Sequence, residues 1–149
     1  MPRFDFRLQT LLRLREQLRD QRREELAKAF QADAILADRR DAVNQRLVAL
    51  KAEYRAASGV GEVHVERLLI SQRCEVALRV EIGHVDEQRR MVAEEIEKRR
   101  AALVEADRQV RVLEKLKARE YERFVHEERL RENKEIDEIA GRKKACAAV

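Results

Sequence analysis

The sequence predicts an all-α fold, a long antiparallel two-helix coiled-coil hairpin with a projecting C-terminal helical segment. Three observations carry that prediction. Of the 149 residues, 42% are Asp, Glu, Lys or Arg and only 4% are aromatic, so a rounded body with a large dry core is excluded. One Pro and four Gly leave little to interrupt a helix. The apolar residues recur in alternating steps of three and four, the period of a coiled-coil seam.

The first helix is expected over about 5–57. Leu8, Leu11, Leu18, Ala29, Ala32, Leu36, Val43 and Leu50 form its ladder, with Arg15, Arg22, Glu25, Arg39 and Arg46 on intervening rungs. Asp5 is the expected N-cap, its carboxylate accepting from free amides of the first turn. Phe4 and Phe6 lie two residues apart, on different faces if the helix already includes them, so at least one should be exposed.

A turn is expected at about 58–63, because Ser58-Gly59-Val60-Gly61 is the only turn signal inside the chain and its glycines permit positive backbone dihedrals. The second helix follows over about 64–140, with Leu78, Ile82, Val85, Val92, Ile96, Leu103, Ala106, Val110, Leu113 and Phe124 as its ladder. Gly83 lies inside it and suits a bend or a close contact. Gly141 is expected to stop the helix in a left-handed conformation, leaving a tail over 141–149 whose Arg142, Lys143 and Lys144 complement the negative helix end. The whole of 1–149 reads as one coiled-coil domain.

At 1.5 Å per residue the two arms would measure roughly 80 Å and roughly 115 Å. A short turn would set Phe4 beside Leu116, leaving about 119–140 to overhang with Tyr121, Phe124, Leu130, Ile136 and Ile139 unmated. Such a segment requires an external surface. Acid-before-base pairs at i, i+4, such as Glu24/Lys28, Glu95/Arg99, Asp107/Arg111 and Glu127/Arg131, support the exposed faces.

No catalytic constellation is present, and the chain is expected not to be an enzyme. There is no phosphate-cradling loop ending in Lys and a hydroxyl residue, and Gly59-Val60-Gly61 is too short to serve as one. His64, His84 and His126 have no spacing suited to a metal, so no metal and no cofactor is expected. Two distant cysteines indicate free thiols, no apolar leader is evident, and no stretch is apolar enough to insert in a bilayer; the expected location is cytoplasmic. The 33 basic and 29 acidic residues are interleaved, as in Arg13-Leu14-Arg15-Glu16, so nucleic acid is not an expected partner. Near the tip, Leu47, Leu50 and Tyr54 on the first arm and Cys74, Leu78 and Ile82 on the second recur at helical spacing, filling the seam and offering an apolar patch around an aromatic.

The opening Phe6-Arg7-Leu8-Gln9-Thr10-Leu11-Leu12-Arg13-Leu14-Arg15, Tyr54 before the turn, Val112-Leu113-Glu114-Lys115-Leu116-Lys117-Ala118-Arg119, and Glu132-Asn133-Lys134-Glu135-Ile136-Asp137-Glu138-Ile139-Ala140 resemble the flagellar export protein FliJ family over nearly the whole chain. The resemblance implies a stalk of the bacterial flagellar type III export apparatus, located in the cytoplasm and peripheral to the inner membrane. It implies contacts with the export ATPase ring through Phe6, Leu8, Leu12, Arg13, Tyr121, Phe124, Asp137 and Glu138. It further implies contacts with the cytoplasmic domain of the export gate near Leu47, Leu50, Tyr54, Cys74, Leu78 and Ile82, and an escort role for export chaperones. Leu50 and Cys74 stand where the family often carries aromatics. A virulence-system stalk, an extended coiled-coil dimer acting as an adaptor and a nucleic-acid binder are the alternatives.

Overall fold

The structure, a computed structural model, describes residues 3–58, 61 and 64–147, without the side chains of 142–147. It is all-α, with helices α1 (Gln9–Ala57) and α2 (Val65–Ala147) and no strand among the described residues. The expected turn falls mostly on residues 59, 60, 62 and 63, which lie outside the described residues. At its edges, the Ser58 amide and Oγ donate to the Tyr54 carbonyl at 3.0 and 2.7 Å, and the His64 carbonyl accepts the Leu68 amide at 3.2 Å. The chain divides into two compact units, Gln21–Leu103 and Met1–Asp20 with Val104–Val149.

In the unit Gln21–Leu103 the helices run antiparallel: Asp33 pairs with Arg89, Arg40 with Asp86 and Lys51 with Glu75, one number rising as the other falls. Steps of three and four from Arg22 trace the inward stripe of α1 through Leu26, Ala29, Asp33, Leu36, Arg40, Val43 and Leu47 to Leu50, every one buried or half-buried. The facing stripe of α2 includes Leu78, Ile82, Val85, Arg89, Val92, Ile96, Arg99 and Leu103. Two expectations are corrected here. Ala32 is exposed, and Arg39 and Arg46 point outward, because the seam instead passes through Asp33 and Arg40. Those charges are tolerated inside because each has a partner across the seam. Arg99 likewise donates from Nη1 to the Glu25 carbonyl at 2.6 Å.

In the other unit Phe6, Leu12 and Val110 form a core, with Phe4, Leu8 and Leu113 packed against it. Leu12, rather than the expected Leu11, occupies the seam. Asp5 is not the cap. The helix begins at Gln9, with the Gln9 amide on the Phe6 carbonyl and the Leu12 amide on the Leu8 carbonyl, both at 2.9 Å. The preceding residues stay out of the helix, and Phe6 is thereby buried, with only 3% of its surface exposed.

Helix α2 also passes its expected stop and continues through Gly141 to Ala147. No described glycine has a positive φ. One Gly costs a helix about 1 kcal/mol, and the Arg-Lys-Lys-Ala that follows is good helix-forming sequence, so the helix continues. Gly83 has nothing within 4 Å of where a Cβ would stand, so it makes no close contact. Among the expected i, i+4 pairs, Arg99–Glu95 and Arg111–Asp107 form at 2.9 and 2.8 Å, whereas Arg131 bonds Glu128 in place of Glu127.

Candidate docking surfaces

Two regions gather the residues singled out in the sequence. In the unit containing both termini, Phe4 is clasped by α2: its ring meets Tyr121 edge-on at 5.3 Å and 76°, and Phe124 at 5.7 Å and 50°. Lys117 Nζ donates to Gln9 Oε1 at 2.9 Å. This corrects two expectations. Tyr121 and Phe124 are mated within the chain, and Phe4 reaches beyond Leu116 because a non-helical lead-in advances about 3.3 Å per residue where a helix advances 1.5 Å. Neither phenylalanine is exposed; Phe4 is half-buried and Phe6 buried.

Of the other candidate ATPase contacts, Leu12 is buried, Leu8 and Phe124 are half-buried, and Arg13, Tyr121, Asp137 and Glu138 are exposed. Phe6 and Leu12 therefore support the surface from beneath, and Tyr121 and Arg13 present it. An open groove of about 510 Å³ runs here, lined by Phe4, Leu12, Glu16, Glu114, Lys117, Ala118 and Tyr121. Beyond it, residues 131–141 of α2 are exposed on every side, including Ile136 and Ile139, with Leu130 exposed just before them. Among the described residues, the segment left without a mate thus begins later than expected.

Near the tip of the other unit, Leu47 is buried, Leu50, Leu78 and Ile82 are half-buried, and Tyr54 and Cys74 are exposed. Tyr54 is common to two hollows. One of about 270 Å³ includes Glu53, Ser58, His64, Arg67, Leu68 and Ile70, and a smaller one of about 120 Å³ includes Leu50, Lys51, Gln72 and Glu75. Sequence reasoning missed Leu69 and Val76, exposed apolar residues each one position after a seam residue. The available signal was that offset, an apolar residue repeating beside the seam.

The groups whose titration is shifted belong to exposed or half-buried ion pairs. The Asp33 carboxyl lies below its ordinary range because Arg89 hydrogen-bonds to it, and Arg89 is held above its own for the same reason. Glu87 is lowered by its hydrogen bond from Arg90. Among the described residues no three His, Cys, Asp or Glu side chains gather as a metal site, and no helix is long and apolar enough to cross a membrane.

Residues 4–145 match the family model described as "Flagellar FliJ protein". No match was found among curated proteins or solved structures. A match running from the Phe4 clasp to the far end of α2, on a two-helix coiled coil, shows the family: the chain belongs to the flagellar FliJ family and is a component of the flagellar protein export apparatus.

Proposed function

We propose that the chain is a non-enzymatic central stalk of the export apparatus, with the end bearing both termini seated in the export ATPase ring. The observation that carries this reading is the uncovered stretch 131–141 following the Phe4–Tyr121–Phe124 cluster. Tyr121, packed edge-on against Phe4, presents an aromatic, and among the described residues the adjoining helix has no partner for its isoleucines. An asymmetric helical end can favour different nucleotide states in different ring subunits by differential contact, so coupling needs no chemistry of its own. Tyr121, Arg13, Asp137 and Glu138 would touch the ring, with Phe124, Leu8, Leu12 and Phe6 holding the surface in shape.

The tip around Tyr54, Leu50, Cys74, Leu78 and Ile82 would meet the cytoplasmic domain of the export gate, which would hold the protein at the inner membrane through its partners. Escort of export chaperones is the third part of the reading. ATP hydrolysis by the export ATPase, measured with full-length protein, with Tyr121→Ala and with a chain ending at Glu128, tests it. Stimulation by the full-length protein that both changes reduce is the expected result. Equal stimulation by all three refutes the seat in the ring.

A further inference from the structure

The unit containing both termini has an apolar face that its seam does not use. Leu11, Leu14, Val112 and Leu116 each stand one position before a seam residue, and in an antiparallel pair those positions of both helices fall on the same side. Leu14 and Val112 are each 59% exposed, and Leu11 and Leu116 are 37% and 36% exposed. With Gln9 opposite Lys117, Leu11 is level with Leu116 and Leu14 with Val112, so the four make two short rows side by side. On α2 the row runs on through Arg119 and Arg123 to the exposed Leu130. Leu116, Arg123 and Leu130 recur at heptad spacing, which drifts by only about 20° per repeat on a straight helix, so they share one side.

The charges of this unit are sorted by side. The leucine side carries Arg119 and Arg123 against Glu105, with Lys115 on its border, and none of these three cations forms an ion pair among the described residues. The opposite side, one position after the seam, carries Glu16, Asp20, Asp107 and Glu114 against Arg13 and Arg111, together with the groove beside Tyr121. Exposed leucines flanked by unpaired cations, with the carboxylates turned away, make a surface suited to an anionic interface. We propose that the leucine side adsorbs directly onto an anionic lipid surface. Leu11, Leu14, Val112 and Leu116 enter the boundary between headgroups and acyl chains, and Arg119, Arg123 and Lys115 meet lipid phosphate. Shape favours lipid over an acidic helix. The furrow between the helices starts where α1 starts, at Gln9 beside Lys117, whereas the row on α2 continues past it to Leu130. A helix lodged in the furrow would leave Arg123 and Leu130 bare, and a plane meets the whole row. Such adsorption goes beyond attachment through partner proteins, and it holds or fails independently of the seat in the ATPase ring because its test contains only this chain and lipid.

Co-sedimentation of the full-length chain with vesicles tests it, using phosphatidylcholine alone and phosphatidylcholine mixed equally with phosphatidylglycerol. The expected result is binding to the mixed vesicles only, weakened by salt. Val112→Glu should weaken it about tenfold or more. Val104→Glu makes the same change of charge at a 64% exposed valine on the opposite side, and should alter binding by about twofold or less. Arg119→Gln with Arg123→Gln should weaken it about tenfold. Far-ultraviolet circular dichroism should be unchanged in all of these, because each altered side chain is exposed. The chain has no Trp, so Leu14→Trp places a single fluorophore on the face, and its emission should shift to the blue with the mixed vesicles, whereas that of Val104→Trp should not. A chain that the mixed vesicles leave in the supernatant, equal binding to phosphatidylcholine alone, equal effects of Val112→Glu and Val104→Glu, or an unshifted emission from Leu14→Trp overturns the inference and leaves the face to a second copy or an acidic protein.

Discussion

Arg89 reaches across from α2 to donate Nε and Nη2 to the two carboxylate oxygens of Asp33 on α1, at 3.0 and 3.3 Å, both residues standing on the inward stripes of their helices. Removing one partner leaves the other facing an apolar seam without its bond, whereas removing both restores a uniform one. Asp33→Leu alone should lower the melting temperature. Asp33→Leu with Arg89→Leu should recover the loss or exceed the wild type, as followed by thermal circular dichroism in a double-mutant cycle.

The same pair gives stability a pH dependence. Asp33 is shifted down from its ordinary value of 3.8, first by the Arg89 hydrogen bond. A carboxyl lowered in the folded state stabilises the fold above its unfolded pKa, and that contribution disappears as pH falls through the folded value. Glu87, lowered by Arg90, adds in the same direction. Melting temperature should therefore decline below about pH 4, and Asp33→Asn should flatten part of that decline. An acid titration of the melting temperature for the two proteins checks it.

Phe6 lies in the small core with Leu12 and Val110. Truncating a buried phenylalanine costs about 3–5 kcal/mol when the site cannot collapse. Phe6→Ala should therefore lower unfolding free energy by about that amount in urea, and native-state hydrogen exchange should speed up around residues 9–20 and 104–124.

Gly141 and Gly83 are both helical, with nothing within 4 Å of an added Cβ and no positive φ. Alanine should raise helix stability by up to about 1 kcal/mol at either position. Gly83→Ala should raise the melting temperature, and Gly141→Ala should increase helical ellipticity at constant concentration. A left-handed helix stop at Gly141 would give the opposite sign, because alanine is strained there.

The two helices and most of the α2 seam were legible because apolar residues at three- and four-residue steps have few other ways to be buried: Val85, Ile96, Ala106 and Val110 are all inside as read. The α1 seam was less so. Reading apolar residues alone bypassed Asp33 and Arg40, whose inward placement depends on partners more than forty positions away. The Phe4 clasp was hidden for another reason: amphipathic periodicity assumes helix throughout, whereas residues 4–8 gain more by leaving it and burying Phe6. Gly141 misled because local helix-stop preference is small beside the propensity of its neighbours.

The inward charges also key the paired helices against slippage. Sliding one helix by seven residues in either direction would carry Asp33 from Arg89 to Ile82 or Ile96, and Arg40 from Asp86 to Arg79 or Ala93. Each displaced position loses an ion pair and offers hydrocarbon or a like charge instead. A uniformly leucine-lined seam has no feature to oppose sliding; this one has notches, and each helix holds the other at one axial setting.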